Sequence, residues 1–561
     1  MRRATVLAAV AVGTLLLASG GLSALSWAAP ASGPGTPAAS GAVVLDLPST
    51  MPAGSSAAPS AGPAASALLN VSPVVDARSL PYAFWGVNVN DMSPFTNADS
   101  AALLATPLKF LRFPGGLLGE ELNYTSNIIT SDNGTQYTPR TSIQQFIATC
   151  ELMHCQAILQ MPAEIDEPTT AAYYADYIVH TLNFQPAYWE IGNSPSGWVH
   201  FGVPWSKWGS QGGGNITPLP FASLVGTYIA AIKLVDPAGK FLALGSGMGP
   251  LYYDRSWVED LAKIDGTLLT GISVHSYIMG GGPPNPTWPE LFANLNGVYS
   301  LPDQVTADRD YIQDVCPILC ANLHIFVTED NAAELSTYDA LLTSFAGPLY
   351  LAAETTQALT LRVSNLDWFC YDCHFPGALS QSHLQWQLQY YLFKDLSKHL
   401  KNETLPATVT GPSTFYAAAT YNSSGLALMM VNVNNTTATL VNMTHSGIPF
   451  GASAYEYRWE NGSTLPQKVE VTVGDTLEVP VHSIFLLVVH RHALIIPGGL
   501  GAREGPSHPG VPDGAGTTAR AGLTLRAPSA LPPLVSPAAL PIGPSAAARD
   551  PNAAPRVRPE D

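Results

Sequence analysis

Between residues 84 and 372 the chain alternates two kinds of stretch. Short, apolar, β-rich runs recur: FWGVNV (84–89), KFLRFPGG (109–116), QAILQMPAE (156–164), AYWEIGN (187–193), FLALGSG (241–247), GISVHSY (271–277), HIFVTED (324–330) and LDWFCYD (366–372). Each leads through a loop into a helix-length segment such as TSIQQFIATCELMH or FASLVGTYIAAIKLV, where apolar residues fall three and four apart. Eight strand-then-helix units over roughly 320 residues predict a (β/α)8 TIM barrel, a fold that spans 200 to over 400 residues. After the helix-like SHLQWQLQYYLFKDLSKHL (382–400) the period changes to two. TFYAAATYN, LALMMVNVN, TATLVNM, AYEYRWE, KVEVTV and SIFLLVVH, separated by Gly, Asn and Ser, predict a C-terminal β-sandwich. The expected fold class is therefore α/β, a TIM barrel followed by a β-sandwich.

Composition sets the boundaries. Residues 1–29 carry two arginines, an apolar run and small residues, the layout of a secretory signal peptide, or of a membrane anchor if it stays uncleaved. Residues 30–66 are rich in Pro, Ala, Gly and Ser and read as a disordered linker. Residues 67–79 hold a strand expected to join the sandwich, 80–400 the barrel and 401–496 the sandwich, and 497–561 read as a disordered tail.

Export also fits ten N-x-S/T triplets, starting at Asn70, Asn123, Asn133, Asn215, Asn402, Asn422, Asn434, Asn435, Asn442 and Asn461. The six cysteines form three close pairs, Cys150/Cys155, Cys316/Cys320 and Cys370/Cys373, which suggests local disulfides in an oxidising compartment, extracellular or at the cell surface. CYDCH (Cys370 to His374) also matches a haem attachment pattern, with a structural disulfide as the preferred reading.

Only 12% of residues are charged and the net charge is −17, with no basic run in the folded middle, so a nucleic-acid partner is not expected. A polar but mostly uncharged surface suits a neutral carbohydrate. No metal motif stands out, and GGGN (212–215) lacks the residues of a phosphate-binding loop, so no cofactor is expected. Oligomeric state is not legible, and membrane association is expected only through an uncleaved first segment.

A TIM barrel carries its chemistry at the C-terminal ends of its strands. Here those ends are polar: Arg112 in RFPGG, Glu164 ending the third strand, Asn193 and Ser194 after the fourth, His275 and Tyr277 on the sixth, Glu329 on the seventh and Trp368 on the eighth. This ordered set, together with the sandwich, resembles the retaining clan-A glycoside hydrolases, in particular the α-L-arabinofuranosidase and heparanase/β-glucuronidase-type families. The resemblance implies a carbohydrate substrate, a plant or microbial polysaccharide or glycan, and Glu329 as nucleophile. Arg112, Asn193 and Tyr277 would bond that carboxylate or the sugar's 2-hydroxyl, and His275 would line the same subsite. Trp198 and Trp368 are further candidates for substrate binding.

One position departs from the pattern. Ser194 stands where the resemblance implies the acid/base glutamate, and a serine hydroxyl neither protonates a leaving group nor activates water. Glu190 lies four residues back along the strand, roughly 13 Å deeper at 3.3 Å per residue. Glu164 is the first candidate for a replacement acid, with Asp166 and Glu167 behind it; Glu120 and Glu121 follow on a loop expected near the cleft. Trp198, Trp205 and Trp208 in the loop after the fourth strand, and Tyr252, Tyr253 and Trp257 after the fifth, offer ring faces on which sugars stack. The alternative to hydrolysis is a catalytically impaired relative that binds polysaccharide at the cell surface, and a third reading is an adhesion or surface-layer protein with the barrel as scaffold. The sparse charge also suggests a protein that works in acid.

Overall fold

The computed structural model describes residues 64–490 apart from 73–77, 80–83, 90–95, 131–134, 165–166, 196–215, 247–254, 280–285, 334–338, 374–377, 381–385, 447 and 461–464. The signal, most of the linker and the tail fall outside the described residues, as do Trp198, Trp205, Trp208, Tyr252, Tyr253 and Asp166.

Eight parallel strands close into a barrel: β1 (Trp85–Asn88), β2 (Phe110–Phe113), β3 (Gln156–Met161), β4 (Tyr188–Ile191), β5 (Phe241–Ser246), β6 (Gly271–Tyr277), β7 (His324–Asn331) and β8 (Leu366–Trp368). Every strand pairs with its neighbour in sequence, and β8 closes on β1 through Leu366 opposite Trp85. The TIM barrel and sandwich read from the periodicity are both present. Helices including Ile143–Met153, Pro218–Lys233, Arg255–Asp265 and Leu301–Val315 separate the strands in sequence and bury one apolar side each.

Inside the barrel the side chains stack in layers. Phe110, Ile158, Leu242 and Phe326, with Tyr188 packed against them, fill the lower end. Two residues further along a strand the side chain returns to the same face, so Arg112, Gln160 and Glu190 form the next layer up. On β2, β3 and β4 the interior thus passes from apolar floor to polar mouth within one step of the strand period, while Asp367 of β8 places a buried carboxyl at the level of the floor.

The sandwich pairs a seven-stranded sheet with a four-stranded one. The strand Ala65–Val71 joins the smaller sheet, antiparallel to Ala407–Thr410 and parallel to Thr439–His445, with Ala67, Leu69 and Val71 facing the sandwich core. It begins at Ala65, inside the stretch read from composition as linker.

The larger sheet is buried on both faces in its central strands Phe415–Asn422, Gly425–Asn432 and Ser483–His490. Phe415, Ala417, Leu428, Met430 and Phe485 face the small sheet, while Tyr416, Ala418, Met429, Val431 and Leu486 belong to the same apolar cluster as the barrel helices. This second face packs on the barrel helix Ala346–Leu361, which explains why that helix is buried on every side from Ala346 to Leu359. Barrel and sandwich therefore share one core.

All three expected disulfides are formed, Cys150–Cys155, Cys316–Cys320 and Cys370–Cys373. With Cys370 and Cys373 bonded to each other, the haem reading of CYDCH is overturned, because thioether attachment needs both sulfurs.

Because the sheet and the barrel share a core, truncating Met429 on the barrel-facing side should destabilise both. We expect Met429→Ala to cost about 2–5 kcal/mol in urea unfolding, with barrel tryptophan fluorescence and far-UV circular dichroism still moving as one transition. Two separated transitions would contradict the shared core.

Candidate active site

The mouth of the barrel is organised by Arg112, which β2 aims inward and which is fully buried. Its guanidinium donates on three sides. Nη1 reaches Glu329 Oε1 at 2.6 Å and Asn88 Oδ1 at 2.8 Å, Nη2 reaches Asn193 Oδ1 at 2.9 Å, and Nε is ion-paired with Glu190 Oε2 below. Burial alone would disfavour the arginine's charge, but the fields of Glu190 and Glu329 outweigh it and hold the cation more firmly than in water.

Glu329 reaches this position through an irregularity in β7. Phe326 faces the barrel interior, so strict alternation would send Thr328 and Asp330 inward and Glu329 outward. The pairing shifts instead: Val274 lies opposite Val327 but His275 lies opposite Glu329, and Leu366 lies opposite Val327 but Trp368 opposite Asp330. One extra residue on β7 against both neighbours is a bulge, and it turns Glu329 into the mouth. Its Oε2 accepts from Tyr277 Oη at 2.7 Å. Burial pushes the Glu329 carboxyl above the usual carboxylate range, while Arg112, the Tyr277 hydroxyl and the Gly116 N–H favour its ionised form.

His275 Nδ1 stands 3.5 Å from the same Oε2. Burial, reinforced by Arg112, pushes the imidazole down to about 3, so it is neutral beside the carboxylate. Asn193 turns Oδ1 toward Arg112 and donates from Nδ2 to Ser194 Oγ at 3.4 Å. Ser194 itself is buried, in left-handed backbone at φ 43°.

The expected residues Arg112, Asn193, Ser194, His275, Tyr277 and Glu329 are thus brought together. Asn88 and Glu190 complete the network and were not singled out: Asn88 because an asparagine in a strand carries no distinctive signal, Glu190 because its depth removed it from consideration as an acid. The structure shortens that depth: Glu190 and Asn193 bond the same Arg112, so a single guanidinium separates Glu190 from the residue beside Ser194.

Other expectations are corrected. Trp368 does not line the cleft: Asp367 is the inward residue, its carboxylate filling the space above Gly86, so Trp368 points outward and packs on Tyr350 with ring centroids 5.9 Å apart. The β8 residue beside the site is Phe369, edge-on to Tyr277 at 6.2 Å and within van der Waals reach of Gly116. Trp257 is core, packed edge-on against Phe221. Glu120 and Glu121 lie on a short helix, Leu118–Glu121, not on a cleft loop, and both are buried. Glu120 Oε2 accepts from the N–H groups of Ala163 (2.7 Å) and Glu164 (2.8 Å), pinning the end of β3. Glu164 is enclosed where that helix docks. Among the described residues no cluster of three or more His, Cys, Asp or Glu could hold a metal ion.

Behind Glu329, on the outer face of β7, sits a second carboxyl cluster. Tyr350 Oη donates to Asp330 Oδ1 at 3.2 Å, and Glu354 lies one helical turn along from Tyr350. Burial pushes Asp330 up to about 8 and Glu354 well above its usual range, the latter reinforced by Asp330. Burial also raises Asp265 to about 7.

No family model and no curated protein sequence matches the chain. Solved structures do match in fold. A GH51 arabinofuranosidase from Xanthomonas axonopodis pv. citri superposes with a TM-score of 0.59 at 16% identity, covering 76% of this chain and 100% of that one. An α-L-arabinofuranosidase from Thermotoga maritima, solved with arabinose, gives 0.59 at 14% over 76% and 100%. A family 44 xyloglucanase from Paenibacillus polymyxa gives 0.56 at 11% over 76% and 99%. The chain shares their architecture of parallel barrel and sandwich.

Removing Arg112 would strand two buried carboxylates, so Arg112→Met should cost about 3–5 kcal/mol in urea unfolding, and adding Glu190→Gln should recover part of the loss. Above about pH 6.5 the neutral buried histidines no longer oppose the carboxyls, because their unfolded counterparts are also neutral. From there to about pH 8 the folded state binds more protons than the unfolded one at Asp330, Glu354 and Asp265, so stability falls as pH rises. A thermal midpoint that drops across this window, and drops less in Asp330→Asn/Glu354→Gln, is the expected result. A midpoint that rises would contradict it.

Proposed function

We propose that the protein is an exported retaining glycoside hydrolase in which Glu329 is the nucleophile. The observation that carries this reading is a carboxylate at the barrel mouth gripped at one oxygen by Arg112 at 2.6 Å and at the other by Tyr277 at 2.7 Å. A glycosyl-enzyme mechanism needs a carboxylate that stays ionised and aimed, and an arginine and a phenol supply both. The solved structures of the same fold are named as arabinofuranosidases and a xyloglucanase, which supports a carbohydrate substrate. Three disulfides support an oxidising, extracytoplasmic setting.

In this reading Glu329 attacks the anomeric carbon and forms a covalent glycosyl-enzyme. Arg112 and Tyr277 spread the carboxylate's charge before attack and stabilise it again as it leaves. Neutral His275 adds no competing cation beside the oxocarbenium-like centre. Asn193, held by Arg112 through Oδ1, presents its amide on the far side toward the sugar. Phe369 and Tyr277 wall the subsite.

Ser194 favours a second reading, a sugar-binding relative that keeps the network without turnover. Hydrolysis of dinitrophenyl glycosides followed by NMR separates the two. We expect the released sugar to keep its anomeric configuration, Glu329→Ala to abolish turnover, and azide to restore it as a glycosyl azide of inverted configuration. An inverted wild-type product, or an active Glu329→Ala variant, would overturn the proposal. Glycan binding with no turnover would favour the second reading.

A further inference from the structure

Retaining hydrolysis divides its work between a nucleophile and a second carboxyl about 5–5.5 Å away that protonates the leaving oxygen. Among the described residues, Glu190, Glu120 and Glu164 are the carboxyls nearest the β4 side of the nucleophile, and each is buried. Glu190 is 0% exposed and ion-paired with Arg112 beneath Glu329, on the side away from the opening. Glu120 accepts two backbone N–H groups at the end of β3. Glu164 is 0% exposed under the helix Leu118–Glu121, whereas Asn193 and Ser194, on the β4 side of the nucleophile, each keep an opening of 7%. The sequence of the β4 connection adds nothing: from Ser194 to Thr217 there is no Asp or Glu. The hydroxyl of Ser194 accepts from Asn193 and has no acidity to offer at any working pH.

Resting on the retaining reading above, we propose that no carboxyl among the described residues protonates the aglycone, so that the substrates are glycosides of acidic aglycones: phenols, enols or carboxylic acids rather than sugar alcohols. The balance is simple. A Glu329 oxygen forms a bond to the anomeric carbon while the bond from that carbon to the aglycone oxygen breaks, and the aglycone departs as an anion with the electron pair. Water then attacks the same carbon, Glu329 leaves as carboxylate, and the proton passes to solvent. A phenolate carries its own charge, whereas a sugar alkoxide forfeits the full factor of about 10²–10⁴ that a general acid supplies. The same lack slows the second step, because no base activates the water.

The test is kcat/KM for one sugar across aryl glycosides whose leaving groups range from dinitrophenol to phenol, with pre-steady-state kinetics on the dinitrophenyl member. Wild type should lose at least about 10³-fold across the series. It should release one phenolate per enzyme in a burst, followed by a slow phase that azide accelerates. Ser194→Glu should flatten the series, raising the phenyl glycoside by about 10²–10⁴-fold with little change for the dinitrophenyl one. A flat wild-type series would overturn the inference while leaving the retaining reading intact. If it then steepens in Glu164→Gln, the proton comes from Glu164. Absence of any turnover or burst even with dinitrophenolate would instead remove the retaining reading itself.

Discussion

Everything at the barrel mouth depends on a buried arginine that must be neutralised. Taking a guanidinium out of water is unfavourable by several kcal/mol unless anions and hydrogen-bond acceptors replace the solvent. Arg112 meets that demand with Glu190 below, Glu329 above, and the amide oxygens of Asn88 and Asn193 at the sides. The requirement fixes four strands relative to one another, since β1, β2, β4 and β7 each contribute to one planar fork. It also fixes Glu329, whose carboxylate is aimed by the same cation that needs it.

The surroundings keep this arrangement rigid. Phe110, Ile158, Leu242 and Phe326 close the barrel beneath it with apolar side chains that offer the arginine no competing hydrogen-bond partner. The bulge in β7 reverses the facing of Glu329 relative to Phe326 and sends Asp330 outward to Tyr350. The helix that carries Tyr350 is clamped in turn by the sandwich, so the sandwich reaches the mouth through one helix and one strand. In this respect it is part of the barrel's wall.

Much of this was legible in the sequence. Eight β-rich runs separated by amphipathic segments specify the barrel, because period two and period 3.6 alternate cleanly, and polar strand ends point to Arg112, Asn193, His275, Tyr277 and Glu329. What escaped has physical reasons. A polar-rich strand end does not say which face each side chain takes, so Trp368 looks like a cleft residue in the sequence although Asp367 faces inward and Phe369 is the ring beside Tyr277. The alternating strands point to a sandwich, but that the second face of the larger sheet packs on the barrel shows only in the structure. Glu120 looks like a loop carboxylate in the sequence because a four-residue helix has no period to detect.

The central claim is that the carboxylate held by Arg112 and Tyr277 forms a covalent bond to sugar. The most direct measurement is intact-mass spectrometry of the protein after incubation with 2-deoxy-2-fluoro glycosides bearing dinitrophenolate, followed by peptide mapping. Such a leaving group needs no acid, so the outcome reports on the nucleophile alone. An adduct of one fluoroglycosyl unit on the peptide containing Glu329 is the result this account predicts. An adduct on a different carboxylate, or none in a protein that nonetheless hydrolyses the parent dinitrophenyl glycoside, would contradict it.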